Sequence, residues 1–233
     1  MNWIFSFLSS SIGKKIIMSL TGLFLIAFLG VHLAGNLRLL AGDAGQAYNQ
    51  YAYLMKHNPL IQLIAWGLYG SILIHAVQGW LLWQHNRAAR GSQGYVIKVV
   101  RTVQNRGTNS QQMGWLGTVI FVFLLVHLYQ FWFKVQLGIL LPVAYPGFQQ
   151  GIEIPNVYLP VNAAFHNVGF VTFYVLAMVV IAMHLWHGFH SSWQTLGLNH
   201  VKYASLLEVV SKLYAIAIPL GFAVTPVYLL LFT

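Results

Sequence analysis

The chain contains no cysteine and very little charge. Its 233 residues include 12 basic and 3 acidic side chains, and charged residues make up 6% of the total. A soluble globular domain carries about a quarter charged residues, so this composition excludes a protein with a fully water-facing surface. Without cysteine there is no disulfide, no thiolate-bound iron–sulfur cluster and no covalently attached c-type haem. Any redox cofactor in this chain must therefore be held by histidine or by shape alone.

Long uncharged runs are abundant instead. A helix of about 20 apolar residues crosses the ~30 Å hydrocarbon core of a bilayer, and five runs of this kind occupy residues 16–37, 60–83, 113–133, 163–189 and 213–233. Pro219 and Pro226 are expected to bend the last run unless neighbouring groups satisfy the freed carbonyls. The first run follows a basic pair without a cleavage pattern, so we expect it to be retained as an anchor. The sequence predicts one all-α domain, residues 1–233, built as a five-helix transmembrane bundle.

The basic residues divide unequally between the two ends of this bundle. If the N-terminus is cytoplasmic, the inner end holds Lys14, Lys15, Arg87, Arg90, Lys98, Arg101, Arg106, Lys202 and Lys212, and the outer end holds Arg38, Lys56 and Lys134. Cytoplasmic loops are enriched in Lys and Arg, which predicts an N-in, C-out protein of the cytoplasmic (inner) membrane. Within the basic inner loop, a short amphipathic helix is expected at residues 95–103.

Four histidines lie inside four of the runs, one to each: His32, His75, His127 and His184. Imidazole at membrane depth is costly and usually functional, and it is a common axial ligand of haem iron. At helical rise, the first and third lie ~8–9 Å below the outer end, and the second and fourth ~8–12 Å above the inner end. Depth therefore predicts an outer pair, His32 with His127, and an inner pair, His75 with His184, each able to clamp one haem iron. A bis-histidine iron has no open position and favours electron transfer.

Glycines follow three of these histidines at helical spacing: Gly35, Gly79 and Gly188. Residues three or four apart share a helix face, so the glycines leave clearance for a flat macrocycle or simply let helices approach closely. His187 lies about one turn from His184. It is either an alternative axial ligand or a partner for a haem propionate.

Two stretches of sequence resemble a known family. The first is Gly13-Lys14-Lys15 with Met18-Ser19-Leu20-Thr21-Gly22, His32 and Gly35-Asn36, and the second is His184-Leu185-Trp186-His187-Gly188 with Ser191, Gln194 and Gly197. With the helix number and the order of the histidines, they resemble the dihaem cytochrome b that anchors succinate dehydrogenase and fumarate reductase in the membrane. The resemblance covers essentially the whole chain.

The resemblance implies two b-type haems, a distal one on His32 and His127 and a proximal one on His75 and His184. It also implies partners on the cytoplasmic face, a flavoprotein with covalent FAD and an iron–sulfur protein, and a quinone acceptor, for which menaquinone is the better expectation. The chain would then be a subunit of a succinate:quinone oxidoreductase that does not itself oxidise succinate.

Depth and charge predict further residues that would contact the haem propionates and the quinone. Propionates of the inner haem would meet Lys14, Lys15 and Arg87, and those of the outer haem would meet Asn36 and Arg38. The quinone candidates are Gln62 and His166. Some members of the family carry a glutamate near the outer end of the second helix, but residues 59–66 here contain no acid, and the outer carboxylates are Asp43 and Glu153.

Two other functions fit parts of the same pattern. One is a dihaem cytochrome b that serves a hydrogenase or a formate dehydrogenase. The other is a haem-free transporter or proton channel in which the histidines relay protons. The expected surroundings are the lipid bilayer and protein subunits, with no nucleic-acid partner.

Overall fold

The computed structural model describes residues 3–90, 107–198 and 200–233. The helices are α1 (Trp3–Ser9), α2 (Ser11–Asn36), α3 (Gln46–His57), α4 (Pro59–Arg90), α5 (Gly107–His127), α6 (Phe133–Gln136), α7 (Tyr158–Phe165), α8 (Val168–Thr195) and α9 (Ala204–Phe232). Two short antiparallel strands, β1 (Pro142–Ala144) and β2 (Glu153–Pro155), form a hairpin. The amphipathic helix predicted at 95–103 lies outside the described residues, and so do the basic residues Lys98, Arg101 and Arg106.

Five of these helices are long and apolar enough to cross a membrane. They are α2, α4, α5 with its continuation to Gln136, α8 and α9. Their outward faces expose large apolar side chains, such as Trp66 on α4 and Leu213 on α9, which are 72% and 62% accessible. Such faces belong in lipid, because in water they would leave extensive apolar surface uncovered. The predicted helical, multi-pass membrane character is confirmed.

The last two long helices begin at other residues than the predicted runs. The fourth run was expected to begin at residue 163, but residues 158–165 form the separate helix α7. Asn167 then caps α8, and its side-chain oxygen accepts a hydrogen bond from the Phe170 N–H at 3.2 Å. Such a cap satisfies one of the orphan N–H groups of a helix start. The last helix begins at Ala204, earlier than residue 213, and continues through Pro219 and Pro226.

The five long helices alternate in direction, so the bundle has two distinct ends. At one end the ring of Trp83 lies 5.6 Å from that of Trp115, and Trp193 Nε1 donates to Ser211 Oγ at 3.1 Å. We call this the basic end, because it carries Lys14, Lys15, Arg87, Lys202 and Lys212. We call the opposite end the loop end. There the last residue, Thr233, donates through Oγ1 to Asn162 Oδ1 at 2.9 Å.

A small cap covers the loop end. It consists of α3, the β1–β2 hairpin and α7, which meet around the completely buried Asn49. Asn49 Nδ2 donates to Tyr145 Oη at 2.8 Å and to Asn156 Oδ1 at 3.0 Å, and Asn49 Oδ1 accepts from the Tyr158 N–H at 2.8 Å. Gly45 permits the close packing of Tyr158, since a Cβ at this position, where φ is +85°, would lie 2.1 Å from its Cγ.

Candidate haem sites

The histidines of α2 and α5 meet near the loop end. The ring centres of His32 and His127 are 5.9 Å apart, and the two rings are nearly perpendicular, at 87°. Aromatic rings surround the pair. Phe28 and Phe222 contact His32, and Phe123, Phe131 and Tyr174 contact His127.

The histidines of α4 and α8 meet nearer the basic end. The ring centres of His75 and His184 are 6.3 Å apart, with 69° between the ring planes. Thr21 of α2 contacts His75, and it precedes His32 by eleven residues on the same helix. At ~1.5 Å per residue the two pairs are therefore separated by about 16 Å along the bundle. The structure thus brings together the two pairs that depth predicted, at two different levels.

The spacing of each pair suits two imidazoles on opposite sides of one metal ion. A metal–imidazole bond is ~2 Å long and the ring centre lies about 1 Å behind the bonded nitrogen, so two such rings have centres about 6 Å apart. Among the described residues there is no group of three or more His, Cys, Asp or Glu that would hold a bare metal ion. A porphyrin supplies four nitrogen ligands of its own, so two histidines complete the six-coordinate site. The donor set therefore fits haem.

One histidine of each pair has a buried ring nitrogen without a hydrogen-bond partner. Nδ1 of His127 and Nδ1 of His184 are buried, and neither has a hydrogen-bond partner within the described part of the chain. Buried polar atoms are nearly always paired, so each exception requires an explanation. Imidazole rings kept at membrane depth at this cost are expected to serve a function.

Comparison with known proteins does not extend this picture. Neither a family model, nor a curated protein, nor a solved structure matches the chain.

The glycines proposed to face a macrocycle lie against side chains. A Cβ added to Gly79 would lie 3.2 Å from Met18 Cε, and one added to Gly188 would lie 3.7 Å from Met113 Cε. Methionine side chains are flexible and fill irregular spaces, so both glycines border space that methionine tips occupy. Gly35 has a different role, because a Cβ there would lie 2.6 Å from Cε1 of Tyr51.

The two residues predicted to contact the propionates of the outer haem, Asn36 and Arg38, donate hydrogen bonds to backbone carbonyls four residues earlier in the chain. Asn36 Nδ2 donates to the His32 carbonyl at 2.8 Å and lies 3.4 Å from His32 Nδ1, which places it directly beside the loop-end pair. Arg38 donates to the Ala34 carbonyl at 2.9 Å, and its guanidinium stacks 4.1 Å from the ring centre of Tyr51. Asn36 is therefore the closer of the two to the histidine site.

The candidates at the basic end surround the start of α2 and the end of α4. Lys14 is half-buried and Lys15 is exposed. Arg87 is exposed, with its guanidinium 5.8 Å from the ring centre of Trp83. His187 lies one turn beyond His184 and is half-buried, while the ring that meets His75 across the bundle is that of His184.

The two quinone candidates are exposed at the loop end. Gln62 Nε2 donates to the Lys56 carbonyl at 2.5 Å and ties α4 to the end of α3. His166 lies between α7 and α8, and its Nδ1 is 2.8 Å from the carbonyl oxygen of Asn162. Of the two outer carboxylates, Asp43 is engaged as a cap, because its oxygens accept from the Gly45 and Ala47 N–H groups at 3.1 and 2.8 Å. Glu153 lies exposed in β2.

A π-helical turn, which no sequence pattern indicates, begins directly after His127. Residues 128–132 adopt this wider helix, which is rare and often found at functional sites. Two hydrogen bonds hold it from neighbouring helices. The Tyr174 hydroxyl donates to the buried Gln130 Oε1 at 2.6 Å, and Trp132 Nε1 donates to Tyr69 Oη at 2.9 Å. No residue type specifies such a turn, so only the structure reveals it.

Removing the Tyr174 hydroxyl is expected to destabilise this turn. Tyr174→Phe leaves Gln130 Oε1 buried without its donor, at a cost of ~1–3 kcal/mol in the free energy of unfolding. Thermal unfolding of the purified protein measures this cost. The double variant Tyr174→Phe with Gln130→Leu should be more stable than the single Tyr174→Phe variant, because no polar atom is then left unpaired. If Tyr174→Phe alone costs nothing, the hydrogen bond does not hold the turn.

Proposed function

We propose that the chain is the membrane-anchor and electron-transfer subunit of a succinate:quinone oxidoreductase. Two b-type haems, one on His32 and His127 and one on His75 and His184, would relay single electrons from an iron–sulfur partner at the basic end to menaquinone. The observation that carries the proposal is the meeting of four membrane-depth histidines in two pairs at 5.9 and 6.3 Å.

The protein itself would hold the two haems in place and shield them from water. Ligands come from four different helices, α2, α5, α4 and α8, so packing of the bundle sets the geometry of both pairs. Apolar rings around His32 and His127 exclude water, and a dry, aromatic surrounding lowers the local dielectric. A haem iron held by two of these histidines would carry out electron transfer and would leave no open site for oxygen.

The charge distribution supports the choice of partner and end. Lys14, Lys15, Arg87 and Lys202 lie at the basic end, and they favour docking of a protein with an acidic surface there. Lys212, at the same end, forms a salt bridge with Glu208 at 2.8 Å. By the positive-inside rule, the same residues support a cytoplasmic location of this end. An N-in, C-out orientation in the cytoplasmic membrane is part of the proposal.

An optical spectrum and a haem assay test the proposal. The chain, purified in detergent after expression with a haem supply, should show the reduced-minus-oxidised bands of haem b, with two haems per polypeptide. His85→Ala, which removes an exposed histidine of α4, is the matched control and should retain both haems. A chain without haem, or with one haem only, contradicts the two-haem proposal, and the first result would favour a haem-free transporter.

A second experiment separates the succinate enzyme from other quinone-linked enzymes. The tagged chain is purified from its native membranes under mild conditions, and candidate donors are added. Succinate should reduce the haem, and a flavoprotein and an iron–sulfur protein should copurify. Reduction by formate or by hydrogen in place of succinate would assign the chain to a formate dehydrogenase or a hydrogenase.

A further inference from the structure

Thr21 of α2 contacts the ring of His75. Its hydroxyl oxygen lies 3.2 Å from His75 Nδ1, and it also lies 2.7 Å from the carbonyl oxygen of Ile17. A threonine hydroxyl has one hydrogen, and a carbonyl oxygen can only accept. The hydroxyl therefore donates to Ile17, and it has lone pairs left to accept the Nδ1–H of His75.

This hydrogen bond determines which nitrogen of His75 is free. Neutral imidazole carries one N–H, so a proton on Nδ1 leaves the lone pair of Nε2 available. Metal-bound histidines usually donate their second N–H to a neighbouring acceptor, which fixes the tautomer and the ring orientation and makes the ligand more basic. Thr21 is placed to be such an acceptor. The backbone of Met18, three residues earlier on α2, also hydrogen-bonds His75.

Gly22 leaves space for the ring of His75. A Cβ added at Gly22 would lie 3.3 Å from His75 Cε1, which is closer than most real Cβ contacts, and 3.7 Å from His75 Nδ1, an ordinary contact distance. Glycine therefore lets the imidazole lie against the backbone of α2, within reach of the Thr21 hydroxyl. Two adjacent residues of one helix thus provide the acceptor and the space for a histidine of another helix.

The other histidines of the two pairs have different surroundings at Nδ1. In His127 and in His184, Nδ1 has no hydrogen-bond partner among the described residues. Near His32 Nδ1 the neighbouring group is the Asn36 Nδ2, a donor, at 3.4 Å. The Thr21 contact therefore makes the His75–His184 pair chemically distinct from the pair near the loop end.

We propose that Thr21 is a positioning residue for His75: it accepts the Nδ1–H, points Nε2 towards His184, and strengthens His75 as a metal ligand. The inference rests on the proposed function, because it assumes that the pair binds haem iron. A more basic ligand stabilises oxidised iron, so the Thr21 contact lowers the reduction potential of the haem at this pair.

The test compares Thr21→Val, Thr21→Ala and Thr21→Ser in the full-length chain. Val keeps the shape of the threonine side chain and removes its hydroxyl. Ala also removes the hydroxyl, and an effect shared by both variants is not due to the packing of Val. Ser restores the hydrogen-bond acceptor. Val and Ala should weaken retention of the haem at His75 and His184 by about 10–100-fold and raise its midpoint potential. The haem near the loop end should not change, and Ser should restore both properties.

Thr195→Val is the matched control. Thr195 also donates to a carbonyl four residues back on its own helix, that of Ser191 at 3.0 Å, and it lies at the end of α8. This variant should leave both potentials unchanged. If the wild type binds no haem at His75 and His184, the proposed function fails. If it binds two haems and the Val and Ala variants keep wild-type potentials and retention, or change both haems equally, only the role of Thr21 is overturned.

Discussion

Replacing His75 with alanine is expected to remove one of the two haems and leave the other. The substitution takes away one of two axial nitrogens and opens a void where the ring stood, opposite His184 at 6.3 Å. Outer contacts of a metal ligand are worth 10–100-fold in affinity, so loss of the ligand itself should abolish retention through purification. The haem content should fall from two per chain to one, with the spectrum of the remaining haem unchanged.

The other axial variants show whether the pairing is correct. His184→Ala should remove the same haem as His75→Ala, and His32→Ala and His127→Ala should both remove the other one. His187→Ala should retain both haems, because the ring across from His75 is that of His184. Loss of the same haem in His75→Ala and His32→Ala would show that the pairs are wrong. Loss of a haem in His187→Ala, with both retained in His184→Ala, would make His187 the ligand.

The meeting of the histidine pairs could be predicted because helical rise is nearly constant. Once His32 and His127 are counted from one end of their runs and His75 and His184 from the other, the depth of each follows from ~1.5 Å per residue. Each pair comes from two helices that run in the same direction, α2 with α5 and α4 with α8, so residues at equal depth in those helices can meet across the bundle. Small errors at the helix ends matter little here, since the two levels are separated by about 16 Å.

Local details could not be predicted, because they depend on contacts between distant parts of the chain. The π-turn after His127 depends on Tyr174 and Tyr69, which lie on other helices. The separation of α7 from α8 depends on the cap at Asn167. Gly79 and Gly188 were correctly placed on the helices of the histidines, but their spacing could not reveal that methionine side chains lie against them.

Asn49→Ala is expected to be the most destabilising change in the cap at the loop end. Asn49 is completely buried, and its amide binds Tyr145, Asn156 and the backbone of Tyr158. Alanine removes all three hydrogen bonds, and a buried polar group left unpaired costs ~1–3 kcal/mol. We expect a loss of about 3 kcal/mol in the free energy of unfolding, which lowers the thermal midpoint by about 6–12 °C.

Asn49→Ala should affect the His32–His127 pair and leave the His75–His184 pair unchanged. Phe165 of α7 contacts both Phe131 and Tyr174, and these two rings contact His127. Loosening of the cap is therefore transmitted to the pair near the loop end, while His75 and His184 lie about 16 Å further along the bundle.

Asn49→Ala should therefore release the haem of His32 and His127 at a lower temperature than the haem of His75 and His184. The two losses can be followed by their separate absorbance bands during heating, with limited proteolysis of residues 138–157 as a direct measure of cap opening. Asn86→Ala, on the exposed end of α4, is the matched control and should change neither. Equal release of both haems would mean that the cap stabilises the whole bundle, and unchanged proteolysis would mean that the Asn49 hydrogen bonds do not hold it closed.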